Sequence, residues 1–140
     1  MSYSYLHKTQ YYETDQMGVV HHSNYIRWFE EARTAFLEDL GYSYERMEQE
    51  GIISPVLHVE CDYRKMVRYG GTVRIEVSIE KFNGIKLVVG YRIFDRNTDE
   101  LCTSGRTSHC FLNKEGRPVS VKKVKPGFYE KITMISQEGL

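Results

Sequence analysis

The apolar residues of this chain change their period once. From Tyr25 to Leu40 they recur at spacings of three and four, as Tyr25, Phe29, Ala32, Phe36 and Leu40, with Ile26 and Trp28 widening the stripe. That spacing marks one face of a helix. From Leu57 onward the spacing is two. Leu57, Val59, Cys61 and Tyr63 alternate with His58, Glu60, Asp62 and Arg64. Val73, Ile75, Val77 and Ile79 alternate with Arg74, Glu76, Ser78 and Glu80. Such alternation belongs to strands with one buried face. A single long apolar helix among strands must bury its stripe on a sheet. The expected class is therefore α+β, with the helix lying across a curved antiparallel sheet.

Local signals divide the rest. Residues 3–13, rich in tyrosine, are expected as a first strand, followed by a turn at Thr14-Asp15-Gln16-Met17-Gly18. Ser23 or Asn24 is expected to cap the helix, and Gly41 to stop it. Residues 43–50 suggest a short second helix closed by Gly51. Asn83-Gly84 predicts a tight hairpin between the second alternating run and Ile85, Leu87, Val89, Tyr91 and Ile93. Residues 100–112 make a further strand, and the tail from Pro126 a short helix. That gives five strands, and no repeat or linker divides the 140 residues, so residues 1–140 are expected as one domain.

Composition narrows the function. The 19 basic and 19 acidic residues cancel, which leaves no broad field for nucleic acid or an anionic membrane. Cys61, Cys102 and Cys110 are odd in number and contain no C-x-x-C pair, so reduced thiols in a cytoplasmic protein are expected. No signal peptide and no membrane span is expected either.

The segment Tyr11–Arg33 reads YYETDQMGVVHHSNYIRWFEEAR. Asp15 stands in a loop just before the apolar helix, where a carboxylate can face a cleft. Gly18 lets the backbone turn tightly or approach a ligand closely. The first N–H groups of a helix have no partner within it, and the positive end of the helix dipole suits a developing oxyanion. A carboxylate and an oxyanion site about seven residues apart suit acyl transfer to water.

Through T-D-x-x-G-V-V-x-H, S-N-Y and W-F-E-x-A-R, the segment resembles hotdog-fold thioesterases of the 4-hydroxybenzoyl-CoA thioesterase type. The resemblance is closest to the YbgC-like acyl-CoA thioesterase branch. It implies a five-stranded sheet wrapped around a long central helix. It also implies hydrolysis of an acyl-CoA thioester to the free acid and coenzyme A. Asp15 would then attack the thioester or activate the attacking water. The backbone N–H of His22 would polarise the carbonyl, and Tyr11 would hydrogen-bond near the leaving group. Gly18, Val19, Asn24 and Tyr25 are expected to line the bound thioester. Arg64, Lys65 and Arg68 are expected to meet the phosphates of coenzyme A. His21 stands where relatives often carry an aromatic residue, which bears on the shape of the acyl pocket. A homodimer or homotetramer is implied, with no metal and no bound cofactor.

Plainer roles account for other residues. His21-His22 are adjacent and lack a third ligand, which argues against a metal. His109 and Cys110 are strand neighbours and point to opposite faces, so they form no nucleophilic pair and a core cysteine is expected. Glu30 and Glu31 are expected in solvated or ion-paired roles, and Lys122-Lys123-Val124-Lys125 as a solvated run. Two other functions share the fold: a dehydratase acting on an acyl thioester, and a non-catalytic module binding acyl-CoA or acyl carrier protein.

Overall fold

The computed structural model describes residues 3–138. Five strands form one antiparallel sheet: β1 (Tyr3–Lys8), β2 (Val56–Tyr63), β3 (Thr72–Phe82), β4 (Lys86–Asp95) and β5 (Leu101–Cys110), in spatial order β1-β3-β4-β5-β2. The helices are α1 (Ser23–Asp39), α2 (Tyr44–Gln49), α3 (Val121–Val124) and α4 (Pro126–Glu138). The expected class and strand number hold.

The helix α1 buries Tyr25, Trp28, Phe29, Ala32 and Phe36 against Val73, Ile75 and Val77 of β3 and Val89, Tyr91 and Ile93 of β4. Each such side chain contributes about 1.5–3 kcal/mol by leaving water. The alternate residues face the other way and pair with one another. Arg92 meets Glu76 at 2.9 Å, and Arg106 meets Glu80 at 3.2 Å. That outer face is therefore satisfied by charge and does not need an apolar cover. At the β3–β4 hairpin the Asn83 side chain accepts from the N–H groups of Ile85 and Lys86, and Gly84 takes φ +88°.

Several expectations are corrected. The first strand ends at Lys8, because the Glu13 carboxylate accepts the Gln10 N–H at 2.7 Å and pulls residues 11–13 into a 3-10 turn. Neither Ser23 nor Asn24 caps α1. His22 is the N-cap, the Ser23 hydroxyl bonds to the His21 ring, and the Asn24 amide donates to the Glu13 carbonyl. Ile26 on α1 is exposed, and so are Leu57 and Tyr63 on the edge strand β2. Ile85 sits in the hairpin turn and is exposed too. The last helix has 13 residues and is structural: Phe128 and Ile132 are buried, and Phe128 meets Phe111 at 5.9 Å. The lysine run forms a single helical turn, and Lys125 pairs with Glu50 at 2.5 Å.

Two interior features have measurable consequences. A β-carbon on Gly105 would lie 2.4 Å from the Glu60 carbonyl oxygen and 2.7 Å from the Phe29 ring. The clash with neighbouring backbone admits no side-chain escape. Gly105→Ala is expected to cost about 1–3 kcal/mol through overpacking, read as a lower urea midpoint with an unchanged slope.

The second feature is a buried polar chain. Arg33 donates to the hydroxyls of Tyr44 (2.5 Å) and Tyr91 (2.9 Å). The Tyr91 hydroxyl meets Thr107 Oγ1 at 2.6 Å, and Thr107 Oγ1 meets His109 Nε2 at 2.7 Å. Cys110 is only half-buried, so His109 and not Cys110 is the core residue of that pair. Burial, then the Arg33 charge, lowers the His109 pKa to about 4 from 6.5. Below pH 6.5 the unfolded chain takes up a proton that the folded chain refuses until about pH 4. Stability should therefore fall between those two pH values, by about 3 kcal/mol in all. His109→Asn should flatten most of that slope in a series of unfolding curves.

Candidate active site

The loop before α1 is a small hairpin. Thr14 bridges Val20, the Asp15 N–H donates to the Val19 carbonyl at 2.9 Å, and the Gly18 N–H returns to the Asp15 carbonyl at 3.1 Å. Gly18 has φ +75°, a conformation that a side chain would strain. The loop is also stitched to the segment after β2. The Val20 N–H donates to Val67 O at 2.7 Å, the Tyr69 N–H donates to Gly18 O at 3.2 Å, and Val19 bridges Arg68.

These contacts border an open pocket of about 330 Å³. Asp15, Val19 and Val20 line it from the loop, and His21, His22 and Tyr25 from the start of α1. Tyr63, Arg64, Lys65 and Met66 close it from the end of β2. A groove of about 400 Å³ lies on the outer sheet face, where Arg106 pairs with both Glu60 and Glu80.

Inside the pocket, Asp15 is exposed. Its Oδ1 accepts the Met17 N–H at 2.8 Å, which orients the carboxylate. The His22 backbone N–H donates to no acceptor among the described residues. The His21 and His22 rings lie 4.2 Å apart, tilted by 31°, and the Tyr63 hydroxyl donates to the His22 carbonyl at 3.3 Å. Burial, followed by its hydrogen bond with Cys61, raises the Tyr63 pKa to about 12. Burial also raises that of Tyr25. Both phenols are therefore neutral at physiological pH.

Other candidates lie elsewhere. Tyr11 is 77% exposed, packs edge-on against Tyr69 at 5.6 Å and does not line the pocket. Asn24 is buried, with its amide on the Glu13 carbonyl at 2.8 Å. Gly18 shapes the turn and Arg68 is exposed beyond it, neither lining the pocket. Lys65 and Arg64 do line the pocket, where Lys65 pairs with Glu100 and Arg64 reaches Ser104 at 3.5 Å. Glu30 is exposed, and Glu31 bonds to His7 at 2.7 Å. No trio of His, Cys, Asp or Glu side chains among the described residues is grouped as a metal site would require.

Sequence reasoning missed Glu13. Its carboxylate is buried and accepts the Trp28 indole N–H at 2.6 Å and the Gln10 N–H at 2.7 Å, with His7 Nε2 at 2.9 Å. Burial pushes its pKa up, yet the hydrogen bonds from His7, Gln10 and Trp28 together hold it below the usual range. The available signal was Trp28, because a buried indole N–H needs an acceptor.

The sequence profile of the thioesterase-like superfamily matches residues 9–132. YneP of Bacillus subtilis, provisionally described as an acyl-CoA thioesterase, is 41% identical over 123 residues, covering 87% of this chain and 88% of YneP. The acyl-CoA thioesterase YbgC of Haemophilus influenzae is 26% identical over 129 residues, covering 91% of this chain and 94% of its own length. The crystal structure of a DHNA-CoA thioesterase from Staphylococcus aureus superposes with a TM-score of 0.90 at 34% identity, covering 99% of this chain and 95% of that one. The chain belongs to the thioesterase-like superfamily, as an enzyme of the hotdog-fold thioester hydrolases.

Proposed function

We propose that this chain hydrolyses an acyl-CoA thioester to the free acid and coenzyme A, with Asp15 as nucleophile or general base. The observation that carries the reading is the shared pocket of Asp15 and the start of α1. A carbonyl placed over the His22 N–H, unpartnered among the described residues, would gain polarisation there, and the carboxylate would stand on the same wall. The thiolate leaving group needs little help, since a free thiol has a pKa of about 8.5. No strong general acid, metal or bound cofactor is required. Arg64 and Lys65 at the end of β2 would meet the phosphates, and the aromatic wall of Tyr25 and Tyr63 would meet the acyl group.

The catalytic unit is proposed as a homodimer, alone or paired into a tetramer. The open edge of β2 and the exposed Ile26 and Leu57 support it, since an uncovered edge invites a second copy. Acyl carrier protein is an alternative carrier of the acyl group.

The test is thiol release from acyl-CoAs running from acetyl to palmitoyl, with one aromatic acyl and one acyl carrier protein thioester, all with a chelator present. Thiol release from at least one member is expected. No release from any of them, together with water loss from a 3-hydroxyacyl thioester, would make the chain a dehydratase instead. No turnover with measurable binding would make it a binding module.

A further inference from the structure

Five residues hydrogen-bond to the oxygens of Glu13. The side chain, 6% exposed, accepts from Trp28 on the second turn of α1 and from the Gln10 backbone, and it meets His7 on β1. The main-chain oxygen of the same residue accepts the His21 N–H at 2.9 Å and the Asn24 Nδ2–H at 2.8 Å. Those two donors flank His22. Asp15 follows two residues later, through Thr14, which bridges Val20. One residue is thus bonded to the strand, the helix and both sides of the candidate oxyanion donor.

We propose that Glu13 is a positioning residue, which holds the Asp15 carboxylate and the His22 N–H at a fixed mutual distance in the pocket. The proposal rests on the thioester-hydrolysis reading above. A carboxylate suits the task because three donors approach its two oxygens. Glutamine would offer one acceptor oxygen and turn an NH2 group toward a donor. An apolar residue would strand the Trp28 and Gln10 N–H groups, which buried donors do not tolerate well. Displacement of reacting groups by about 1 Å can cost roughly 100-fold in rate. The effect should fall on kcat, because Glu13 does not line the pocket and loses no contact with the bound thioester.

The test compares Glu13→Gln with wild type and Asp15→Asn, each assayed well below its melting temperature. Glu13→Gln is expected to lower kcat about 100-fold, with KM within about threefold. Trp28 is the sole tryptophan, so its emission reports the Glu13 contact directly. It should change in Glu13→Gln and not in Asp15→Asn. Asn24→Asp, which cannot donate to the Glu13 carbonyl, should lower kcat in the same manner. The double variant should lose less than the product of the two single losses, because both act through one loop. Where Glu13→Gln does not fold, Trp28→Phe replaces it under the same kcat criterion. A folded variant with wild-type kcat, or one whose whole loss lies in KM, overturns the proposal while leaving the thioesterase reading intact. A wild type that releases no thiol sinks both.

Discussion

Asp15→Asn is expected to slow thiol release from a reactive acyl-CoA by about 1,000-fold or more, a barrier increase of about 4 kcal/mol. Thermal unfolding should stay within about 2 °C of wild type, since exposed substitutions rarely cost more than about 0.5 kcal/mol. The two effects separate because of local geometry. The carboxylate is exposed, and its one hydrogen bond among the described residues is accepted by Oδ1 from the Met17 N–H. An asparagine oxygen can accept the same bond, so the turn from Asp15 to Gly18 survives. The amide cannot take a proton from water or attack a carbonyl. The His22 N–H remains and should leave a residual rate, since the two groups contribute by different routes. Thiol release at saturating substrate and a thermal melt decide the matter. Equal rates in the two proteins would leave the reaction standing but move the catalyst elsewhere, with the exposed Glu30 examined next.

Phe29→Ala carries the largest expected stability loss, about 3–5 kcal/mol. Phe29 has no exposed surface, and its ring stacks on Tyr91 at 4.4 Å with an interplanar angle of 11°. It also fills the space over Gly105, where no side chain stands on the sheet. Truncation therefore opens a cavity that glycine cannot help to close. It also loosens Tyr91, whose hydroxyl links Arg33 to Thr107. At about 3 °C per kcal/mol for a chain of this size, the melting temperature should drop by roughly 10 °C. Chemical denaturation of Phe29→Ala beside Phe29→Leu measures it. A loss below about 1 kcal/mol would mean that α1 does not bear on the sheet as described.

Much of the fold was legible because it rests on repetition. The spacing of Tyr25, Phe29, Ala32 and Phe36 specifies a helix wherever the chain is placed, and they are buried in α1. The same holds for Val73, Ile75 and Val77 on β3 and for Asn83-Gly84 at the hairpin. Ile26 and Leu57 fit the same patterns and are nonetheless exposed. Periodicity states which side of an element is apolar, but not how far its neighbours reach across it. For Leu57 the strand order, with β2 at an edge, settles that.

At the site the division follows the range of the interactions. Asp15, Gly18 and His22 could be singled out from a local pattern, because a loop carboxylate, a turn and a helix start follow one another within eight residues. Arg64 and Lys65 were expected only as phosphate contacts; with Tyr63 they come to the same pocket from the end of β2, some forty residues later. Glu13 reads in sequence as one more polar residue in a tyrosine-rich strand. Its role appears only when Trp28, His7 and Asn24 surround it. The sequence alone determined the period of each element, the turns between them and the residues able to do chemistry. Those properties belong to neighbours along the chain. Tertiary structure decided which apolar faces are covered and which polar groups are buried with partners. Burial and hydrogen bonding depend on groups far apart in sequence, and only packing brings those together.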